Sequence, residues 1–297
     1  MTEPLPLLVI VGPTGAGKSA LALERAAALG SEIISADSVQ VYRGLDIGSA
    51  KPTLAERAAV PHHLIDLWDP TVQANAGAWL SEAVAVIERL HARGRVPVVC
   101  GGTGLYVRAL LEGLAPIPDV PAAIAHALRA RLAAEGAPAL HAELGQRDPE
   151  AAAALSQNDG QRITRALEVI AATGEPLSRF HARHREARAI GTMRYSATLI
   201  GVFPERAVLE RRIAQRARRM IDDGLVDEVA RLLAQGVPPD AAGLKTMGYR
   251  EVVAHLTVRP QPGDALVTAL ALAHRRYSKR QLTWWRDTTF GERIGGG

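Results

Sequence analysis

A short glycine-rich segment near the start of the chain restricts the fold more than any other feature. It reads Gly12-Pro13-Thr14-Gly15-Ala16-Gly17-Lys18-Ser19 and matches the pattern G-x-x-x-x-G-K-[ST]. An apolar run at residues 7–11 precedes it, and a helical pattern follows it. Between a strand and a helix, such a loop turns its backbone N–H groups inward, while the helix N-terminus and the lysine add positive charge. The segment therefore predicts a phosphate-binding loop, in which the serine hydroxyl can bind Mg²⁺. The pattern alone leaves open whether the ligand is ATP, GTP or another diphosphate.

The composition is that of a folded protein with a mild excess of positive charge. The 297 residues are 47% hydrophobic, enough for one domain with an insertion. The net charge of +4 fits a polyanionic partner without requiring one. A single cysteine, Cys100, excludes an intrachain disulfide. The N-terminus lacks the basic region of a signal peptide, and no apolar run reaches the ~20 residues that span a membrane. We therefore expect a cytoplasmic protein that does not contact membranes.

Short apolar runs alternate with helical patterns along most of the chain. We predict strands at residues 7–11, 32–36, 63–67, 96–100 and 198–203, and this alternation favours a three-layer α/β fold with a mostly parallel sheet. After the proline-rich residues 113–121, only helical patterns occur until about residue 189. One of these helices should have Asp148 as its N-cap and Pro149 at its first position. The predicted organisation is a P-loop core of residues 1–115 and 195–297, with a helical insertion of residues 116–194.

Two further segments should lie at the same edge of the sheet as the phosphate loop, because ligands collect at the carboxyl ends of parallel strands. Asp37 and Ser38 follow the second predicted strand. Asp37 can ligate magnesium, act as a general base or cap a turn, and its position alone does not choose among these roles. The segment CGGTGLY brings Thr103 to this edge, although a GGTG sequence by itself indicates only a tight turn.

Two sequence features expected of an ordinary nucleotide hydrolase are missing. No apolar strand ends in the aspartate that coordinates magnesium or water in many ATPases. The strand-terminal acids are Asp37 and Asp66, and no N-K-x-D motif for guanine is present. The phosphate loop therefore indicates a use other than nucleotide hydrolysis.

Positive charge is concentrated in three runs, at residues 179–188, 211–220 and 274–287. The last run also contains Tyr277, Trp284 and Trp285, and cations interleaved with aromatic side chains can hold phosphates and stack bases. Each run is equally typical of a solvated helix face. His181 and His184 are three residues apart, but no further ligand lies near them in the sequence, which argues against a metal site.

Seven segments of the chain occur in an order that resembles one known family. In chain order they are GPTGAGKS, SADSVQVYRGLDIGSAKP, GGTGLY, QRITRALEV, RARRMIDDGLVDEV, KTMGYREV and RRYSKRQLTWWR. They resemble the tRNA dimethylallyltransferases, also called isopentenyl-pyrophosphate transferases, in their compact bacterial form. The resemblance implies transfer of the dimethylallyl group from dimethylallyl diphosphate to N6 of the adenosine 3′-adjacent to the tRNA anticodon, with release of diphosphate. The loop then holds the diphosphate of the prenyl donor.

The resemblance also assigns roles to individual residues. Asp37 matches the family's general base, and Arg216, four residues before Met220, matches a catalytic cation. Residues 12–19 would bind the diphosphate, with Mg²⁺ on Ser19. The segments that match tRNA-binding positions are Asp37, Ser38, Val39 and Gln40; Thr103; Gln161, Arg162, Ile163, Thr164 and Arg165; and Lys245, Thr246, Met247, Gly248, Tyr249 and Arg250. The helical insertion would hold the anticodon stem-loop, and we expect a monomer. Gly160 departs from the proline common in relatives, which should loosen the start of its helix.

Two other classes of protein share some of these features. An ATP-dependent kinase of a small metabolite or nucleoside would use the same loop and sheet. A non-enzymatic RNA-binding module would account for the basic runs, but it would leave the phosphate loop and Asp37 without a purpose.

Overall fold

A parallel β-sheet organises the computed structural model, which describes residues 4–190, 194–260 and 263–295. Its strands are β1 (Leu5–Val11), β2 (Ile33–Ser35), β3 (His62–His63), β4 (Val98–Gly101), β5 (Tyr195–Val202) and β6 (Glu292–Ile294). The helices are α1 (Lys18–Ala28), α2 (Leu54–Ala59), α3 (Ala76–His91), α4 (Gly104–Glu112), α5 (Ala122–Glu135), α6 (Ala137–Arg147), α7 (Pro149–Ala154), α8 (Gly160–Thr173), α9 (Leu177–Ile190), α10 (Arg206–Asp222), α11 (Leu225–Ala234), α12 (Tyr249–Thr257) and α13 (Gly263–Trp284). The sheet order is β3-β2-β4-β1-β5-β6, with every neighbouring pair parallel. The predicted α/β fold is confirmed.

Strand β1 shows how the sheet is buried on both faces. Val9 belongs to a large apolar cluster with Trp79 of α3, whereas Ile10 belongs to a second cluster with Ala22 of α1. Successive side chains of a strand point to opposite faces, so this alternation places helices above and below the sheet. The result is the predicted three-layer arrangement.

The third and last strands differ from the sequence prediction. β3 ends at His63 because Leu64 and Asp66 adopt left-handed backbone conformations, with φ of 62° and 60°, which a strand cannot contain. The predicted strand at residues 63–67 is therefore wrong in length. The Asp66 carboxylate pairs with Lys51 at 2.5 Å and Arg57 at 3.2 Å, so it serves the structure of this turn. β6 was not predicted, since it is a short and largely exposed edge strand.

The chain divides into two compact units. One comprises Met1–Leu111 with Arg194–Gly297, and the other comprises Glu112–Met193. The second unit is built from α5 to α9 around a core that includes Leu140, Ile163 and Leu167. Its first residue lies ahead of the predicted boundary at 116, because Glu112 is held by α9. There His184 Nε2 donates to the Glu112 carbonyl at 3.1 Å.

Two helix starts in the second unit follow the expected capping chemistry. The predicted N-cap of α7 is confirmed, since Asp148 Oδ1 accepts from the Ala151 N–H at 3.1 Å and Pro149 is the first helical residue. Helix α8 begins at Gly160, with Asp159 as its side-chain cap. A Cβ at Gly160 would lie 2.8 Å from Leu132 Cδ1, so the glycine allows α5 to approach closely.

A buried carboxylate fixes the loop that follows β2. Glu228 of α11 is 4% exposed. Its Oε2 accepts from the backbone N–H groups of Asp46 and Ile47 at 3.1 and 2.8 Å. Its Oε1 accepts from the Tyr249 hydroxyl at 2.6 Å. The carboxylate thereby joins this loop to the start of α12.

Removal of that carboxylate should destabilise the first unit selectively. Glu228→Ala leaves two buried N–H groups and a buried hydroxyl without an acceptor, which we expect to cost on the order of 3 kcal/mol. Glu228→Gln keeps an acceptor oxygen and should lose less. Urea denaturation followed by circular dichroism measures both, with the exposed neighbour Asp227→Ala as the control. Equal midpoints for Glu228→Ala and Asp227→Ala would contradict the role assigned to this carboxylate.

Candidate active site

A cavity of about 440 Å³ opens at the carboxyl edge of the sheet. Residues that follow β1, β2 and β4 form one side of it, and helices α10 and α13 contribute the other. The polar and charged lining residues include Thr14, Lys18, Ser19, Asp37, Gln40, Arg212, Gln215, Arg216, Arg219, Tyr277 and Gln281. The structure therefore brings the phosphate loop and Asp37 to one site.

The phosphate loop depends on glycine at positions that other residues could not occupy. Gly15 and Gly17 have φ of 79° and 99°. A Cβ at Gly12 would lie 2.3 Å from the carbonyl oxygen of Val202 in β5.

Lys18 begins α1, and its Nζ donates to the Pro13 carbonyl at 2.7 Å. Burial lowers the pKa of this lysine, and the nearby Asp37 carboxylate opposes that shift.

Asp37 caps the turn that follows β2. Its Oδ1 accepts from the N–H groups of Val39 and Gln40 at 2.8 and 3.3 Å, an arrangement typical of an Asx turn. In the part of the chain that the structure describes, Oδ2 has no hydrogen-bond partner. The turn-cap role is thus observed for one oxygen, and the second oxygen is free to accept a proton or a metal ion.

Thr103, on the turn after β4, is tied to the residue beside Asp37. Its Oγ1 accepts from the Ser38 N–H at 2.9 Å. Burial raises the pKa of the Tyr277 hydroxyl of α13, and the neighbouring side chains of Thr103 and Ser38 oppose that rise. A Cβ at Gly101, the last residue of β4, would lie 2.1 Å from the carbonyl oxygen of Ala36, which follows β2, so glycine is required where these two strands end. The predicted proximity of Thr103 and Ser38 is therefore observed.

Helix α10 presents three arginines to the cavity, of which the sequence analysis named one. Arg216 Nη2 donates to the Ser49 carbonyl at 3.3 Å, and its buried Nε has no partner among the described residues. Burial lowers the pKa of Arg216, while Asp37 opposes that shift. Arg212 donates to the Ala16 carbonyl at 3.1 Å, and Arg219 also lines the cavity. Their spacing of four and three residues is the signal that could have identified Arg212 and Arg219 from sequence.

The tRNA-binding positions predicted in the first unit occupy different environments. Lys245 and Arg250 are exposed, and Met247 lines the cavity. Tyr249 is fully buried and donates to Glu228, so its side chain is not accessible to a ligand and serves to stabilise the residues around it. Gln40 is engaged internally, since Ser35 Oγ donates to its Oε1 at 2.8 Å and its Nε2 donates to Ala50.

The tRNA-binding positions predicted in the second unit all lie on α8. Gln161, Arg162 and Arg165 are exposed, whereas Ile163 and Thr164 are buried in the core of that unit. The side chains of Arg162 and Arg165 are therefore accessible to a ligand, whereas those of Ile163 and Thr164 pack in the core and stabilise the helix. Direct contact of these residues with tRNA stays a prediction.

The oxygen atoms around the loop suit a magnesium ion that arrives with a phosphate ligand. No group of three or more His, Cys, Asp or Glu side chains in the described ranges could hold a metal by itself. The Ser19 hydroxyl and the Asp37 carboxylate line the same cavity. Magnesium prefers such hard oxygen donors, with substrate phosphates supplying further ligands. Over the same residues, no helix is both long and apolar enough to cross a bilayer.

A phosphate loop between β1 and α1 of a parallel sheet, faced by a carboxylate and by arginines, defines a P-loop enzyme of the α/β class. Comparison with known proteins narrows this class. Residues 40–288 match the model of the IPP transferase family, and residues 5–66 match that of isopentenyl transferase. The chain belongs to the IPP transferase family.

Individual relatives agree over nearly the whole chain. A protein of Geobacter sulfurreducens named tRNA dimethylallyltransferase is 46% identical over 280 residues, which cover 94% of this chain and 88% of that protein. The crystal structure of a full-length tRNA isopentenylpyrophosphate transferase from Bacillus halodurans is 37% identical, covers 98% of this chain and 89% of its own, and has a TM-score of 0.68. A eukaryotic dimethylallyltransferase, described as acting on tRNA, is 25% identical over 95% of this chain and 70% of its own, with a TM-score of 0.77.

His274 of α13 should make the stability of the first unit sensitive to acid. This side chain is 1% exposed, and its Nδ1 donates to the Leu270 carbonyl at 2.8 Å. Burial, with the positive charge of Arg216 nearby, lowers the pKa of His274 to about 4. The unfolded chain therefore takes up this proton near pH 6.5, whereas the folded protein takes it up only near pH 4.

Stability should consequently fall as the pH drops from 6.5 to 4, by up to about 3 kcal/mol from this residue. His274→Asn cannot take up the proton, so the stability difference between wild type and variant should shrink over that interval. Urea unfolding at several pH values measures the difference, with the exposed His126→Asn as the control. A constant difference from pH 7 to pH 4 would show that the imidazole takes up its proton at the same pH in the folded and unfolded states.

Proposed function

We propose that this chain transfers the dimethylallyl group from dimethylallyl diphosphate to N6 of the adenosine 3′-adjacent to the tRNA anticodon, and releases diphosphate. The observation that carries the proposal is the cavity in which the phosphate loop faces Asp37. Family membership supports prenyl transfer over the kinase alternative, because the relatives are named for that reaction. We also propose a monomeric, cytoplasmic enzyme.

The phosphate loop and the α10 arginines would stabilise the leaving group. As the bond between C1 of the prenyl group and the bridging oxygen breaks, its electron pair remains on the diphosphate. Lys18, Arg212 and Arg216 lie around this cavity, where cations aimed at developing charge lower the barrier. Ser19 would hold Mg²⁺, which supplies further neutralisation of the phosphate charge.

Asp37 would act on the nucleophile. The N6 amine of adenine is a weak nucleophile because its lone pair is delocalised into the ring. A carboxylate that accepts a hydrogen bond from N6–H, and then the proton as the C1–N6 bond forms, offsets that weakness. Asp37 Oδ1 is occupied by Val39 and Gln40, so we assign the proton to Oδ2. The target base must first leave its stack, at a cost of a few kcal/mol.

The function is tested by incubating unmodified tRNA with the protein, magnesium and dimethylallyl diphosphate, and analysing the nucleosides by mass spectrometry. Prenylated adenosine is the expected product. Asp37→Asn keeps the shape and an acceptor oxygen, but its amide cannot take a proton, so single-turnover prenylation should fall by ~10²–10⁴-fold. Donor and tRNA affinities should change little.

Other outcomes of the Asp37→Asn experiment have distinct meanings. Loss of donor binding together with rate would make this carboxylate a magnesium ligand. A rate within a few-fold of wild type would leave it as a turn cap alone. A wild-type protein that turns over ATP with a small acceptor, and leaves tRNA unmodified, would refute prenyl transfer itself.

The basic helices α9 and α13 differ in how their surface cations are paired. On α9, Arg185 and Arg188 form ion pairs with Glu150 and Glu112 at 3.5 and 2.9 Å. On α13, Arg275 and Arg276 are exposed and form no ion pair with a described residue. An arginine already paired with a carboxylate must give up that partner to bind a phosphate. We therefore propose that the cations of α13 contribute more to tRNA binding than those of α9.

This difference predicts how tRNA affinity depends on salt. The pair Arg275→Gln and Arg276→Gln should weaken tRNA binding and reduce the slope of log affinity against log salt by roughly 1.5, as expected for two lost phosphate contacts. The matched pair Arg185→Gln and Arg188→Gln removes the same charge and should change the slope less. Filter binding over a salt series measures both. A larger effect from the α9 pair would place the main phosphate contacts in the helical unit.

A further inference from the structure

Gln281 of α13 links two loops that the sequence analysis treated separately. Its side chain is buried, with 3% exposure. Oε1 accepts from the backbone N–H of Thr14 in the phosphate loop at 2.8 Å. Nε2 donates to the Gly102 carbonyl, on the turn after β4, at 2.9 Å. The acceptor and the donor of the amide are both used, which fixes its orientation.

The glycine opposite this amide shows how little space remains there. A Cβ at Gly102 would lie 2.1 Å from Gln281 Nε2. The turn therefore accommodates Gln281 only because residue 102 has no side chain. On the other loop, the Thr14 N–H is occupied by Gln281, which leaves phosphate binding to the later amides of the loop.

One turn earlier on the same helix, Tyr277 contacts the acceptor side of the site. Residues four apart lie on the same face of a helix, and the Tyr277 hydroxyl lies near enough to the Thr103 and Ser38 side chains for them to oppose the rise in its pKa that burial causes. A single helix face thus holds the phosphate loop, the turn after β4 and the residue next to Asp37. It therefore links the phosphate loop to the residue beside the carboxylate.

We propose that Gln281 is a positioning residue, which holds the phosphate loop in its diphosphate-binding shape and at a fixed distance from the turn that carries Thr103. The proposal rests on the proposed function, because it assumes that the loop binds the diphosphate of the donor. Glutamine suits both contacts. Glutamate would turn an acceptor toward the Gly102 carbonyl, and methionine fills a similar space without either hydrogen bond.

Gln281→Met should therefore separate donor binding from tRNA binding. With two hydrogen bonds removed, we expect the affinity for magnesium diphosphate to fall on the order of tenfold, and kcat for prenylation to fall as well. The affinity for tRNA should stay within about twofold, since no charged group is altered. Calorimetry with magnesium diphosphate and filter binding with tRNA provide the two affinities. The control is Thr283→Val, on an exposed part of the same helix.

A double-mutant cycle tests whether Gly102 acts through Gln281. Gly102→Ala in the wild-type chain should displace the amide and weaken diphosphate binding at least as much as Gln281→Met. In a Gln281→Ala background there is room for the new methyl group, so the same change should cost less than about twofold. An equal loss of diphosphate affinity in both backgrounds would overturn the coupling. The loss would then come from the approach of the methyl group to the Gly12 carbonyl oxygen, at 3.3 Å, and not from displacement of the Gln281 amide.

The outcomes separate this proposal from the function on which it rests. If the wild-type protein binds no magnesium diphosphate and modifies no tRNA, the proposed function fails and Gln281 loses its role with it. If the wild-type protein binds and Gln281→Met binds equally, with unchanged kcat, only the positioning role is refuted. Should Gln281→Met fail to fold, Gln281→Glu keeps the acceptor for Thr14, and its diphosphate affinity should lie between those of wild type and Gly102→Ala. Wild-type affinity in that variant would equally refute the proposal.

Discussion

The site depends on backbone segments that approach one another more closely than side chains would allow. At the carboxyl edge of the sheet, Gly12 passes over the Val202 carbonyl, and Gly101 passes over the Ala36 carbonyl. A methyl group at either position would overlap the neighbouring oxygen. The loop after β1 can therefore pack against the end of β5, and the end of β4 against the residue after β2, only as glycine backbone. This close packing forms the floor of the cavity and brings the loop and Asp37 to its lining.

The charges of the cavity act on one another because the protein partly removes them from water. Burial disfavours the charged forms of Lys18 and Arg216, and Asp37 compensates both. Within this group the carboxylate is the acid that faces the cations. A polyanionic ligand would join a set of cations that the fold has already brought together and partly desolvated, which strengthens electrostatic interactions.

The sequence predicted the features of the fold that depend on local patterns. The phosphate loop, the alternation of strands and helices and the cap at Asp148 each leave a short-range signal in residue type and spacing. The third strand was predicted too long because the left-handed conformations of Leu64 and Asp66 are imposed by their surroundings, including the ion pairs of Asp66 with Lys51 and Arg57. The sequence did not predict β6, because a short and exposed edge strand lacks the alternation of buried and exposed side chains by which a strand is recognised.

For the site, the predictable part was the set of residues on the loops that follow the strands. Asp37, Thr103 and the glycine-rich loop were placed correctly at one edge of the sheet. The helical spacing of Arg212 from Arg216 could have placed it on the same helix face, but its contact with the phosphate loop, like that of Gln281, comes from the packing of α10 and α13 against that edge. Nothing in the local sequence of a helix shows which loop its polar side chains will contact.

The hydrogen bond between Thr14 and Gln281 joins residues that are 267 positions apart. A ribosome adds about 5–20 residues each second, so the phosphate loop is made long before the residue that holds it in place. Contacts between such distant segments form slowly, because a long loop must close first. During synthesis the chain thus carries a complete phosphate-binding motif without a complete site. On the proposed role of Gln281, the phosphate loop would reach its binding shape only when α13 docks, which would tie the appearance of activity to the end of folding.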